Sequence, residues 1–251
     1  MTRPAIYALI PARLGSTRFP EKMLADLGGK PLIVRTCEAV KSTHLFDKVL
    51  VVTDHERILA AVQAHGYDAV MSRNDHPSGS DRIAEIAQGL PEGAIIINVQ
   101  GDEPFAKKAP LEALINAFKD EQVKVASLMR PLFNNTIPSD LQNPNLVKVV
   151  INSQNDALYF SRAPIPYDRD SNGNTLVSGQ HFQHIGIYAY RREALLQFTR
   201  LAPCDLELTE KLEQLRLLYH GINIRMVITE EPFIGVDTEE DLEKARLKLK
   251  A

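Results

Sequence analysis

The segment from Pro11 to Lys22 (PARLGSTRFPEK) sets three cations, Arg13, Arg18 and Lys22, around Gly15 and Ser16. A flexible backbone, a hydroxyl and three positive charges suit a triphosphate, whose oxygens accept charge-assisted bonds from guanidinium, ammonium and backbone amide groups. The same residues also describe a solvated basic loop. A second candidate is Gln100-Gly101-Asp102-Glu103-Pro104, directly after an apolar run. Asp102 there is a hard oxygen ligand suited to Mg²⁺ held jointly by protein and phosphate, although Gly, Asp and Pro also make ordinary surface turns. Asp237, within Gly235-Val236-Asp237-Thr238, could join Asp102 on a metal, because one carboxylate alone is a poor Mg²⁺ site. Its alternative role is to reinforce a helix N-terminus, and periodicity does not separate the two. Ser78 and Gly79, at the start of a helical pattern, offer backbone amides to a nucleotide or form a plain cap.

Other chemistries lack their residues. No GxGxxG, GxxxxGKS, HExxH or GxSxG occurs, which removes the dinucleotide fingerprint, the P-loop, the zincin helix and the serine nucleophile elbow. Cys37 and Cys204 form no CxxC pair, so neither a disulfide framework nor a structural zinc is expected. The chain carries 29 Lys+Arg against 32 Asp+Glu, a net charge of −3, which gives no global field toward nucleic acid or an anionic membrane. The apolar start ends at Pro11 and Arg13, too short for a span and without a cleavage signal, so a cytoplasmic protein without a membrane partner is expected.

These groups need a scaffold, and the hydrophobic pattern supplies one. Ala5–Ile10, Val49–Val52, Ala69–Met71 and Ala94–Val99 read as continuous buried strands. Pro31–Ser42, His55–His65 and Ser80–Gln88 read as the helices between them, with Gly66 closing the second. Strands covered on both faces and separated by helices predict an α/β fold with a doubly wound, mostly parallel sheet. Ligands on such a sheet bind beyond the strand carboxyl ends, where the first loop and Asp102 both fall. Further on, Lys148–Ile151, Ala157–Phe160 and Ile185–Tyr190 are expected strands, with His184 just before the last. The Pro- and Asp-rich stretch between the last two reads as a loop or hairpin. Leucines 208, 212, 215 and 218 predict one helix over Leu208–Tyr219, and Thr238 with Asp241 caps a final helix.

Together the loops resemble a known family. Pro11-Ala12-Arg13-x-x-Ser16-x-Arg18-x-Pro20-x-Lys22 is similar to the triphosphate loop of sugar-acid cytidylyltransferases. Gln100–Pro104, Ala157–Arg162, His184–Tyr188, Leu212–Arg216 and Gly235–Thr238 follow in the order of the 3-deoxy-manno-octulosonate (Kdo) branch. The resemblance runs from about Ile6 to the last helix. It implies a Mg²⁺-dependent transfer of CMP from CTP to the anomeric hydroxyl of an eight-carbon sugar acid, releasing pyrophosphate and feeding lipopolysaccharide assembly. It implies a three-layer fold like that of nucleotide-diphospho-sugar transferases, in one domain over 1–251, with a smaller homodimerisation lobe at about 130–190.

The resemblance also assigns residues. Pro11, Ala12, Arg13, Ser16, Arg18, Lys22 and Gln100 would bind the nucleotide, with Arg13 and Lys22 steadying the departing pyrophosphate; Ser78 and Gly79 join them as candidates from their place at a helix start. Asp102 and Asp237 would be the metal carboxylates, catalytic together with Arg13 and Lys22. Gln100, Arg162, His184, Tyr188, Glu213 and Gln214 would surround the sugar acid, Arg162 pairing its carboxylate. One departure stands out: Pro20-Glu21-Lys22-Met23 replaces the family's usual Pro-Gly-Lys-Pro. Glu21 beside a triphosphate would be repelled unless it points away. The same reaction on 8-amino-Kdo or a sialic acid, and a non-catalytic nucleotide-binding protein, are the competing readings.

Overall fold

The structure, a computed structural model, describes residues 3–15, 19–132, 138–170 and 180–250. The chain divides into two compact units: Met1–Glu112, Tyr190–Thr199 and Pro232–Ala251 form the first, and Ala113–Ala189 with Arg200–Glu231 the second.

In the first unit, β1 (Ile6–Ala12), β2 (Lys48–Thr53), β3 (Ala69–Met71) and β4 (Ile95–Asn98) form a parallel set in the order β3-β2-β1-β4. Ile10 pairs with Val51, Val51 with Ala69, and Leu9 with Asn98. Ala8, Leu9, Ile10, Ile96 and Ile97 are wholly buried, as a sheet covered on both faces requires. The connections are α1 (Leu32–Ser42), α2 (Glu56–Ala64) and α3 (Gly79–Ala87). Because all four strands run the same way, Ala12, Thr53, Met71 and Asn98 end at one edge of the sheet.

β1 does not stop at Pro11 as the sequence suggests. It continues to Ala12 beside Val52 and Thr53. The β4 ladder has already ended at Leu9 and Asn98, so the donor that Pro11 lacks is not needed there.

The second unit contains β5 (Val125–Pro131), β6 (Lys148–Ile151), β7 (Ala157–Ser161), most of β8 (Phe182–Arg191) and β9 (Ile224–Ile228). α4 (Lys108–Ala117) enters it, α5 (Pro138–Gln142) lies within it, and α6 (Arg192–Phe198) belongs to the first unit. β5 and β9 are parallel, whereas β6 pairs antiparallel with both β7 and β8. The single helix predicted over Leu208–Tyr219 is instead α7 (Asp205–Glu210) and α8 (Leu215–Tyr219). Lys211 between them is left-handed at φ 53°, and Leu208 stays 52% exposed, so the leucine stripe never faced one core. α9 (Glu239–Lys250) closes the first unit. Thr238 Oγ1 accepts the Asp241 amide at 3.2 Å and donates to Asp241 Oδ2 at 2.8 Å, the cap that the sequence predicts. Among the described residues no helix is long and apolar enough to cross a membrane.

Candidate functional site

A cavity of about 300 Å³ opens at the carboxyl ends of the first unit's strands, where a parallel sheet places ligands. Pro11, Ala12, Arg13, Lys22, Ser78, Gly79, Gln100, Asp102 and Asp237 all line it. Ser16 and Arg18 lie outside the described residues. Arg13 is exposed at the end of β1 and, among the described residues, its guanidinium has no ion-pair partner. Ser78 caps α3: its Oγ accepts the Asp81 amide at 3.1 Å and donates to Asp81 Oδ2 at 2.7 Å. Capping and lining are compatible, because α3 still aims its positive end at the cavity from Gly79.

At the centre, Lys22 Nζ lies 2.6 Å from Asp102 Oδ2 and 3.0 Å from Asp237 Oδ1. Burial acts to lower the Lys22 pKa. Attraction and hydrogen bonds from both carboxylates outweigh that and leave it above the usual ammonium value. Local packing brings the three groups together. Thr36 Oγ1 on α1 donates to the Gly101 carbonyl at 2.8 Å, and the Val236 amide donates to the Asp102 carbonyl at 2.9 Å. Val236 is fully buried among Phe19, Leu27, Leu32, Leu242 and Ala245, which ties the segment between Gly235 and Asp237 to the turn that carries Asp102. Gly101 must be glycine: a Cβ there would lie 2.9 Å from Met23 Sδ and 3.1 Å from the Pro11 carbonyl oxygen.

Glu103 is a carboxyl that the sequence reading left unused. Burial, then the neighbouring charges of Asp102 and Asp237, push its pKa up to about 8, against a smaller opposing pull from Lys22. Its Oε2 is buried with no hydrogen-bond partner among the described residues. Glu21 resolves the departure in the phosphate loop. It pairs with Arg57 of α2 through both guanidinium nitrogens, 2.8 Å for Nη2, which holds its carboxyl below the usual range and commits it to α2. Arg82, 4% exposed, also lines the cavity and was missed. Its Nη2 donates to Asp54 at 2.7 Å and its Nη1 to Ser72 at 2.6 Å. An acid just after β2, at another strand carboxyl end, is the signal that could have found the pair.

Of the residues expected around a sugar acid, Gln100 lines the first unit's cavity, and Arg162, His184, Tyr188, Glu213 and Gln214 belong to the second unit. His184 lies inside β8, not before it, with its ring 5.0 Å from Phe160 and 5.4 Å from Tyr188. Desolvation pushes its pKa down to about 3, so the ring is neutral, and Nε2 lies 3.1 Å from Ser127 Oγ. Gln214 precedes α8 with its Nε2 buried and without a hydrogen-bond partner among the described residues, next to the half-buried Glu213. The guanidinium of Arg162 has other partners than a ligand: Nε donates to the Glu210 carbonyl at 2.7 Å, Nη1 to that of Pro144 at 2.8 Å and Nη2 to that of Lys211 at 3.3 Å. Those bonds knit three loops together and use three of the guanidinium's five N–H donors, leaving one on each Nη.

The sequence profile of the cytidylyltransferase family matches residues 7–224. The 3-deoxy-manno-octulosonate cytidylyltransferase of Flavobacterium johnsoniae is 50% identical over 98% of this chain and 98% of its own. This chain belongs to that family. The enzyme of the same name from Polynucleobacter asymbioticus is 45% identical over 97% of this chain and 95% of its own. Among solved structures, CMP:2-keto-3-deoxy-manno-octonic acid synthetase complexed with CTP superposes with a TM-score of 0.89 at 40% identity, covering 98% of each chain. The 4-diphosphocytidyl-2C-methyl-D-erythritol synthase of Anaerococcus prevotii, at TM-score 0.62 and 14% identity over 99% of each chain, shares the fold. The cytidylyltransferase chain thus has the mostly parallel α/β architecture that its sequence predicts.

Proposed function

We propose that this cytidylyltransferase transfers CMP from CTP to the anomeric hydroxyl of 3-deoxy-manno-octulosonate. The hydroxyl oxygen forms a bond to the α-phosphorus, the bond to the leaving pyrophosphate breaks, and the hydroxyl proton is lost. The observation that carries the reading is the meeting of Asp102, Asp237 and Lys22 in a cavity walled by Arg13 and the α3 N-terminus. In-line phosphoryl transfer has little covalent chemistry for a protein to perform, so catalysis is positioning and charge neutralisation.

The pocket contains the parts for that task. Pro11, Ala12 and Gln100 would shape the nucleotide wall, while Arg13, the Gly79 end of α3 and Lys22 would face anionic oxygens; Ser16 and Arg18, outside the described residues, are proposed for the same task from the loop motif alone. Two carboxylates that already share one cation, the Lys22 ammonium, are a fitting donor pair for Mg²⁺. When bound, the ion would polarise the hydroxyl and offset charge on the phosphates. His184 as a neutral ring, with Tyr188, Glu213 and Gln214, would hold the sugar acid. Arg162, held by the carbonyls of Glu210, Pro144 and Lys211, would offer the sugar acid's carboxylate the second N–H of each Nη. The protein would work in the cytoplasm as a homodimer and supply an activated sugar for lipopolysaccharide.

Pyrophosphate release with CTP, Mg²⁺ and Kdo, run beside 8-amino-Kdo and N-acetylneuraminate, tests the reading. Turnover fastest with Kdo is expected. Faster release with the amino sugar would move the substrate but keep the chemistry. Silence with all three acids in folded protein would leave a nucleotide binder.

A further inference from the structure

We infer that Lys22 is the resident counter-cation of the Asp102–Asp237 pair, and that a divalent cation enters only by displacing it, which frees its ammonium for the nucleotide's phosphates. The inference rests on the reading above that these two carboxylates hold the metal. Nζ occupies the point on which both converge, 2.6 Å from one and 3.0 Å from the other. Lys22 is 7% exposed, so the ammonium is inserted between the acids and is not a solvated neighbour. A dication on the same lone pairs would meet a like charge in direct contact, and the two cannot share the position.

The local architecture gives the exchange two ends. Lys22 opens a single 3-10 turn, Lys22–Leu24, entered through a left-handed Glu21 at φ 53° and tied to α2 by the Glu21–Arg57 pair. The backbone is therefore anchored while the long side chain can swing. The described residues contain no group of three His, Cys, Asp or Glu placed to hold a metal, so the pair offers a dication only part of a shell. The remaining ligands would be water and phosphate oxygens. A displaced ammonium in a buried setting needs an anion, and the triphosphate is the anion this cavity is built for. Metal and nucleotide then assist each other's binding through one side chain, reciprocally. The lysine also neutralises two carboxylates that would otherwise repel each other, with Glu103 behind them, in the metal-free protein.

The test is binding of Mn²⁺ alone, without nucleotide, followed by the electron paramagnetic resonance signal of the free ion. Lys22→Met is expected to bind one Mn²⁺ about tenfold more tightly than wild type, with the gain lost in Lys22→Met/Asp102→Asn. Equal affinity in wild type and Lys22→Met overturns the exchange, and if Asp102→Asn weakens both, the metal assignment survives alone. If Asp102→Asn changes nothing in either background, the metal assignment falls and the exchange with it. A second measurement needs no variant: acetylation of Lys22 by N-hydroxysuccinimidyl acetate, read by mass spectrometry in the wild-type protein. Protection without Mn²⁺ and faster modification with it is expected, and an unchanged rate overturns the proposal.

Discussion

At the residue scale, each acid near the cavity takes its character from what surrounds it. Asp102 faces the cavity on the Lys22 ammonium, whereas Glu103, one position on, turns into the protein. Asp102→Asn keeps the shape but halves the carboxylate pair, so turnover is expected to fall by about 10²–10³-fold or more, while CTP affinity changes by only a few-fold. Steady-state pyrophosphate release beside a CTP titration reads both, and unchanged values would remove Asp102 from the mechanism. Glu103 gives a pH prediction. Its folded pKa of about 8 exceeds the unfolded value of 4.5, so the native state binds the extra proton. The stability it contributes is full below pH 4.5 and is lost as pH rises toward 8. Glu103→Gln should therefore flatten the decline of metal-free stability between pH 5 and 8, by an amount on the order of a few kcal/mol. Parallel profiles for both proteins in denaturant melts would count against it.

At the element scale, turns and short helices carry the site more than the long elements do. Gly101→Ala places a methyl group against Met23 Sδ and the Pro11 carbonyl, and only the thioether can yield. We expect a loss of about 1–3 kcal/mol in chemical denaturation, and turnover reduced beyond what that predicts because the turn carrying Asp102 shifts. In the second unit, α7 and α8 are held across the left-handed Lys211 by a pair in which Arg216 Nε donates to Glu207 Oε2 at 2.8 Å and Nη2 to Oε1 at 2.5 Å. Both side chains are about a tenth exposed. Arg216→Ala would strand a buried carboxylate, with an expected cost of about 3–5 kcal/mol in urea unfolding. A smaller loss would show that water reaches Glu207. Arg216→Met tests the same point with packing retained.

At the scale of the whole molecule, the second unit comprises Ala113–Ala189 and Arg200–Glu231, and most of the 130–190 segment expected as a lobe falls within it. It exposes Leu158, Tyr167 and Leu208 at 60%, 65% and 52%. Large apolar side chains on one unit are what an interface between two copies would cover. Sedimentation equilibrium is expected to give twice the 28.0 kDa chain mass, with weakening by Leu158→Lys and Tyr167→Lys. A concentration-independent monomer would contradict the homodimer.

The sequence by itself determined the first unit's parallel strands, because runs such as Ala94–Ile97 are apolar without alternation and only a sheet covered on both faces suits them. It also fixed which loops fall at the strand carboxyl ends, and the Thr238–Asp241 cap, since these depend on neighbours a few residues apart. It missed β5, β9, α4, α5 and α6, whose patterns are less distinct, and it joined α7 to α8 because a leucine stripe does not reveal a left-handed residue. Only the tertiary structure decided partners. Glu21 turns to Arg57, Arg162 binds three carbonyls, Glu103 is desolvated, and Lys22 sits between two acids from distant parts of the chain. Charge pairing and burial depend on distance in space, and a linear sequence states residue type and spacing but not that distance.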